Sequence, residues 1–140
     1  MLSFTTDNIA LPVFSQARVR AWIRAVAADY GKKVGDITYI FCDDERILAV
    51  NRQFLQHDYY TDVITFDYSQ GETLSGDIFI SLDTVRTNAE QAGTSFDEEL
   101  LRIIIHGVLH LTGQGDKTPE TKAVMTGKEE RALARWHSLL

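Results

Sequence analysis

Between Ser15 and Tyr30 the apolar residues fall at Val19, Trp22, Ile23, Val26, Ala27 and Tyr30. Steps of three and four predict an amphipathic helix with Ser15 as its N-cap. The pattern then changes. Asp36 to Cys42 is rich in β-branched and aromatic residues, with Ile37, Tyr39 and Phe41 on one face and Ile40 and Cys42 on the other. Two apolar faces predict a central buried strand. Residues 2–5 read as a short first strand. Asp43 or Asp44 caps a short helix reaching about Phe54. A polar segment at 56–60 leads into a strand at 62–68, turn residues at 69–72 follow, and a further strand lies at 77–82. That pair can close an antiparallel hairpin. Ser81 or Asp83 opens a helix that stops at Gly93. Ser95-Phe96-Asp97-Glu98 has the form of a capping box. The helix behind it is apolar on nearly every face, through Leu100, Leu101, Ile103, Ile104, Ile105, Val108, Leu109 and Leu111. Such a helix belongs in the middle of a molecule. Thr118-Pro119, an N-cap followed by proline at the first helical position, starts a last helix that runs to about His137. The order β-α-β-α-β-β-α-α-α predicts an α+β fold: a mixed sheet of about four strands packed with helices, in one compact domain over residues 1–140.

Composition adds boundaries to this picture. A chain of 140 residues with 44% hydrophobic and 24% charged residues suits one core in a soluble globular domain. The first residues carry neither a basic stretch nor an apolar run, so no signal peptide is expected. Ile103-Ile104-Ile105 is the longest apolar run and is far too short to span a bilayer. Cys42 is the single cysteine, which excludes an internal disulfide and favours a reducing, cytoplasmic setting. A net charge of −6 argues against gross non-specific affinity for nucleic acid, while leaving room for a local basic surface.

The central helix also carries chemistry. His106 and His110 are four apart and project from one face of it. Gly113 can end the helix in a left-handed turn, which brings Asp116 back into reach. This spacing resembles that of the metzincin zinc hydrolases. Two imidazoles and a carboxylate are ordinary zinc ligands, and three protein ligands leave a coordination position open. The oxygen ligand hardens the site and admits other divalent ions. The bland alternative is a pair of core histidines satisfied by backbone carbonyls, with Asp116 as a turn residue. Gly107 stands where the metzincins carry their glutamate base, which argues against peptide hydrolysis by that route. Phosphodiester cleavage fits better, because a metal lowers the pKa of bound water and polarises a phosphoryl oxygen. A nearby cation would help. Arg102, four residues before His106 on the same helical face, could supply it, or could pair with Glu98 or Glu99. Thr61 and Asp62 sit at the start of an apolar strand, where a polar pair could touch substrate or orient water, or simply mark a turn.

The run His106-Gly107-Val108-Leu109-His110-Leu111-Thr112-Gly113-Gln114-Gly115-Asp116 resembles the H-G-x-L-H-L-x-G-Y-D-H motif of the YbeY family of endoribonucleases. Upstream, Val50-Asn51, Asp58 and Thr61-Asp62-Val63-Ile64-Thr65-Phe66 are similar to that family's L-N-x-x-x-R-x-x-D-x-P-T-D-V-L-S-F segment. Gly76-Asp77-Ile78-Phe79-Ile80 looks like its G-D-I-x-I strand. The resemblance covers residues 50–116 and implies a compact α+β fold, a zinc ion in a cleft, and RNA as substrate. It also implies ribosomal RNA and the small ribosomal subunit as partners, with assembly-factor proteins in addition and no membrane. The chain departs from the pattern at three places. The third histidine is Asp116, the arginine after the asparagine falls on Leu55, and the proline before T-D-V is Tyr60. Arg52 and Arg102 are the nearest replacements for that arginine by sequence. Tyr59 and Tyr60 could stack on unpaired bases, and Arg18, Arg20, Arg24, Lys32 and Lys33 form either an RNA-facing patch or a solvated helix face.

The expected function is therefore that of a metal-dependent hydrolase. It would be a single-strand endoribonuclease in small-subunit ribosomal RNA processing and ribosome quality control, with His106, His110 and Asp116 on the metal and Arg102, Asp62 and Thr61 in catalysis. The alternative is a non-catalytic ribosome assembly or RNA-binding factor with a structural ion. The absent base, Leu55 and the acidic net charge favour that alternative.

Overall fold

Tyr39 shows how the sheet is tied to the helices. It is fully buried in the middle of a strand, and its hydroxyl donates to the carbonyl of Ile104 at 2.7 Å. One apolar side chain with a polar tip thus fills the core and fixes the height of the central helix above the sheet. The computed structural model in which this contact is seen describes residues 1–55 and 62–138.

The sheet comprises β1 (Leu2–Thr6), β2 (Lys33–Cys42), β3 (Val63–Asp67) and β4 (Thr73–Ser81), in the order β1-β2-β4-β3. β1 and β4 both run parallel to β2, and β3 closes the sheet as an antiparallel partner of β4, the hairpin expected from the sequence. The helices are α1 (Gln16–Asp29), α2 (Asp44–Val50), α3 (Leu82–Ala92), α4 (Phe96–Leu111) and α5 (Pro119–Ser138). A π-helical turn, Asn51–Leu55, extends α2 to the end of the first described segment. This is the single α+β domain with a mixed four-stranded sheet that the pattern of elements predicts.

The N-caps lie where the sequence puts them. Ser15, Asp43, Ser81 and Ser95 each accept, through the side chain, a backbone N–H of the first turn of their helix. Glu98 does not complete a capping box in the usual sense; its carboxylate meets His137 Nε2 of α5 at 3.2 Å. Two strands begin earlier than their propensities suggest. β2 starts at Lys33 and β4 at Thr73, and the two pair there through a register irregularity between Val34 and Ile37. Glycines interrupt both strand patterns for a packing reason. A Cβ on Gly35 would lie 2.7 Å from Thr73 Cγ2, and one on Gly76 would lie 2.3 Å from the carbonyl oxygen of Phe66. Glycine is depleted in strands generally but required where another backbone approaches this closely.

The helices divide unequally between the faces of the sheet. α2 covers one face through Ile47 and Val50, packed with Cys42 and Ile64 and flanked by Phe66 and Phe79. The main core fills the other face, where α4 packs against β3 and β4 below it and against α1, α3 and α5 around it. Ile104, Ile105 and Val108 have no exposed surface, so the helix carrying the histidines is central, as its apolar faces predict. Cys42 is equally buried, and burial, reinforced by the charges of Asp43 and Asp7, pushes its thiol up to about 12. It stays protonated at neutral pH and is no candidate nucleophile. None of the described helices is long and apolar enough to cross a membrane.

Candidate metal centre

Ten of the sixteen residues of α4 are buried, which leaves one polar stripe of Arg102, His106 and His110. The two histidines of the stripe face a cleft of about 500 Å³ whose floor they share with Asp116. The helix ends in the way the sequence suggests. Gly113 takes φ 100°, its N–H bonds the carbonyl of His110 at 2.9 Å, and the N–H of Gln114 reaches the carbonyl of Leu109 at 3.2 Å. These paired bonds are a Schellman motif, which reverses the chain and returns Asp116 to the helix face. Three ligand atoms converge as a result. His106 Nε2 and His110 Nε2 are 2.9 Å apart, and Asp116 Oδ2 lies 3.4 Å from each. The circle through them has a radius of about 1.9 Å, so a point about 2.0–2.2 Å from each, the usual zinc–ligand distance, lies a little off their plane.

The surrounding hydrogen bonds test whether this set fits a cation. His110 Nδ1 faces the carbonyl oxygen of Gln114 at 2.9 Å, and His106 Nδ1 faces Glu129 Oε2 at 2.6 Å. Both partners are acceptors, so both Nδ1 atoms are donors and the neutral rings present their Nε2 lone pairs to each other. With the Asp116 oxygen, three acceptors then meet with no proton among them. Without an ion, the arrangement must hold a proton on one ring. Burial disfavours the charged form of His106, but the hydrogen bond and charge of Glu129 outweigh burial and raise its pKa. Burial and the charge of His106 lower that of His110. The donor set therefore fits a divalent cation, whose uptake displaces that proton. This argues against the reading of the two histidines as core residues satisfied by backbone carbonyls alone.

Glu129 is the residue that sequence reasoning missed. It is only 7% exposed, lies on α5, and holds His106 in place across 23 positions of sequence. A signal was available, because Met125, Glu129, Ala132 and Leu133 are the buried stripe of α5, and a glutamate on an apolar stripe needs a partner. Its other oxygen accepts from Arg102 Nη1 at 3.0 Å. Arg102 Nη2 donates to Glu130 at 2.6 Å, and Arg102 Nε lies 3.9 Å from Glu99. The guanidinium is thus enclosed by carboxylates behind the histidines and does not line the cleft. Removal of Glu129 should be felt at the metal. Carboxylates behind a ligand histidine contribute about 10–100-fold in metal affinity. Glu129→Ala is expected to weaken zinc binding by about that factor in a competition titration with a chromophoric chelator. Glu129→Gln, whose amide oxygen still accepts from Nδ1, should lose less.

Asp62 stands on the cleft wall and accepts from Asn88 Nδ2 of α3 at 3.3 Å, while its charge reaches His106. Thr61, with Asp58, Tyr59 and Tyr60, lies outside the described residues. Asn51, on the π-helical turn, is buried and lines the cleft beside Leu55. Part of the basic group near the N-terminus serves the fold. Arg18 lies over the Trp136 ring at 3.7 Å and donates to that residue's carbonyl, and Arg20 donates to the carbonyl of Leu2.

Comparison with known proteins agrees with this geometry. The sequence profile of the family described as Endoribonuclease YbeY matches residues 4–137. The Endoribonuclease YbeY of Bacteroides thetaiotaomicron is 57% identical over 133 residues, 95% of this chain and 97% of that protein. That of Parabacteroides distasonis is 59% identical over 133 residues, 95% of this chain and 94% of that protein. A solution structure of a Thermotoga maritima protein shares the fold, with a TM-score of 0.65 at 24% identity over 99% of this chain and 93% of the other. With the profile spanning both the histidine helix and the sheet beneath it, the chain belongs to the endoribonuclease YbeY family.

Proposed function

We propose that this chain acts as one metal-dependent endoribonuclease domain over residues 1–140. Its substrate is single-stranded RNA, in the maturation of small-subunit ribosomal RNA in the cytoplasm. The observation that carries the reading is the meeting of three acceptors, His106 Nε2, His110 Nε2 and Asp116 Oδ2, at the floor of an open cleft. The relatives named endoribonucleases supply the substrate class. Zinc suits two imidazoles and one carboxylate. Bound there, the ion supplies Lewis-acid stabilisation of charge on a phosphoryl oxygen and acidifies water.

The protein's own groups do the rest. Glu129 and the Gln114 carbonyl hold the two imidazoles with their Nε2 atoms toward the cleft. Asp62, on the cleft wall, is assigned the orienting of a hydroxyl or water at the phosphodiester. Arg102 acts through Glu129, neutralising it and fixing its direction, rather than at the phosphate. Thr61, next to Asp62 in sequence, is assigned a substrate contact. Gly107 leaves the site without the base of a zinc protease, in keeping with a phosphodiester rather than a peptide as the scissile group.

The test is cleavage of a 5′-labelled single-stranded fragment of small-subunit ribosomal RNA by purified protein of measured metal content. Cleavage is expected to stop after dialysis against a chelator and to return with zinc. Equal cleavage by metal-free protein would overturn the catalytic role of the ion. RNA binding without cleavage at any metal content would favour the assembly-factor reading.

A further inference from the structure

Thr65 Oγ1 is a buried hydroxyl with no hydrogen-bond partner, and it belongs to a residue that lines the metal cleft. Its direction follows from register. Thr65 is paired directly with Ile78 across β3 and β4, so the two share a face. Ile78 lies under Gly107 of α4, between the two histidines in sequence. The Thr65 side chain therefore points to the histidine face of the sheet. A hydroxyl left unpaired in a protein interior bears the full cost of its desolvation. Such a group is tolerated most readily where a ligand supplies the missing bond.

The second observation is charge. The cleft wall and floor carry Asp62, Asp67 and Asp116, which repel a phosphodiester. Lys117 is the lysine or arginine among the described lining residues. It is exposed, follows the ligand Asp116 directly, and has no carboxylate partner among the described residues. Arg102, which the sequence offers as the phosphate cation, is held away by Glu129 and Glu130.

We propose that Lys117 and Thr65 are the phosphate-contacting pair of this cleft, the ammonium and the hydroxyl each donating to a non-bridging oxygen of the RNA phosphodiester. The proposal rests on the endoribonuclease reading for the identity of its ligand.

The experiment uses zinc-loaded full-length protein and a fluorescein-labelled single-stranded RNA, with binding followed by anisotropy across a salt series. Lys117→Ala is expected to weaken binding about tenfold. It should also flatten the slope of log K against log salt by about 0.7, the value for one phosphate contact on a single strand. Zinc content should not change, and Lys117→Arg should restore most of the affinity. Thr65→Val keeps the shape and removes the hydroxyl. It should weaken RNA binding while raising the thermal midpoint of the RNA-free protein, because an unpaired buried hydroxyl is gone; Thr65→Ser should bind as wild type. A merely structural threonine would instead give a lower midpoint with unchanged RNA affinity. Inorganic phosphate separates this proposal from the function it rests on. In wild type it should shift the Thr65 methyl resonance saturably, and in Lys117→Ala it should not. A phosphate response in a protein that ignores RNA would overturn the endoribonuclease reading and leave the pair standing. RNA cleavage with an unshifted Thr65 methyl, or with an unchanged salt slope in Lys117→Ala, would overturn the pair and leave the function standing.

Discussion

Asp116→Ala is expected to lose zinc and RNA cleavage together. The aspartate is one of three ligand atoms, and two imidazoles alone leave the ion with half of a tetrahedral shell. Affinity should fall by more than about 100-fold, beyond the effect of removing a group behind a ligand. The loss should register as sub-stoichiometric metal after gel filtration and as cleavage below a tenth of wild type. The fold should survive, since Asp116 is a partly exposed residue beyond the end of α4 and not a core residue. Asp116→His is the informative companion. It restores the third histidine of the family pattern and should retain metal, with cleavage within about tenfold of wild type because the open position is preserved. Full cleavage by a metal-free Asp116→Ala protein would refute the ligand assignment, and loss of metal in Asp116→His would show that the loop after Gly113 is set for a short carboxylate.

Gly107→Glu should yield no folded protein. It would place on this helix the glutamate that zinc proteases carry. The position faces the sheet: a Cβ there would lie 2.9 Å from Ile78 Cγ2 and 3.0 Å from its Cδ1. A carboxylate forced into that contact would be buried without a partner. Such a change costs more than about 4 kcal/mol, a large part of the roughly 5–15 kcal/mol that holds a domain together. Gly107→Ala is the graded version. Overpacking costs about 1–3 kcal/mol and the gain in helix propensity returns about 1 kcal/mol, so a moderate drop in urea midpoint is expected. Ile78→Val in the same chain should relieve part of it, a coupling that a double-mutant cycle measures. A soluble Gly107→Glu protein with wild-type midpoint would show that α4 can move off β4. The absence of the protease base is thus a packing requirement as well as a chemical difference.

The features legible along the chain are those set by nearest neighbours. The caps at Ser15, Asp43, Ser81 and Ser95, the Thr118-Pro119 start of α5 and the glycine turn at Gly113 each depend on a few adjacent residues, and each is where the sequence puts it. The helix period of α4 and the spacing of His106, His110 and Asp116 were legible for the same reason, since helical geometry converts spacing into direction. The tertiary structure alone decided what those side chains meet. Glu129 reaches His106 only because α5 folds back along α4, and the same contact draws Arg102 away from the cleft toward carboxylates 27 and 28 residues later in the chain. The early starts of β2 and β4 at Lys33 and Thr73 depend on pairing between strands that lie 40 residues apart, which local propensity does not contain. Thr65 reads as an ordinary strand residue until its register with Ile78 turns it toward the histidines. Local rules fix which face a residue occupies; only the packing of distant elements fixes what stands opposite, and at this site that decides which carboxylate orients the ligand and which cation is left for the phosphate.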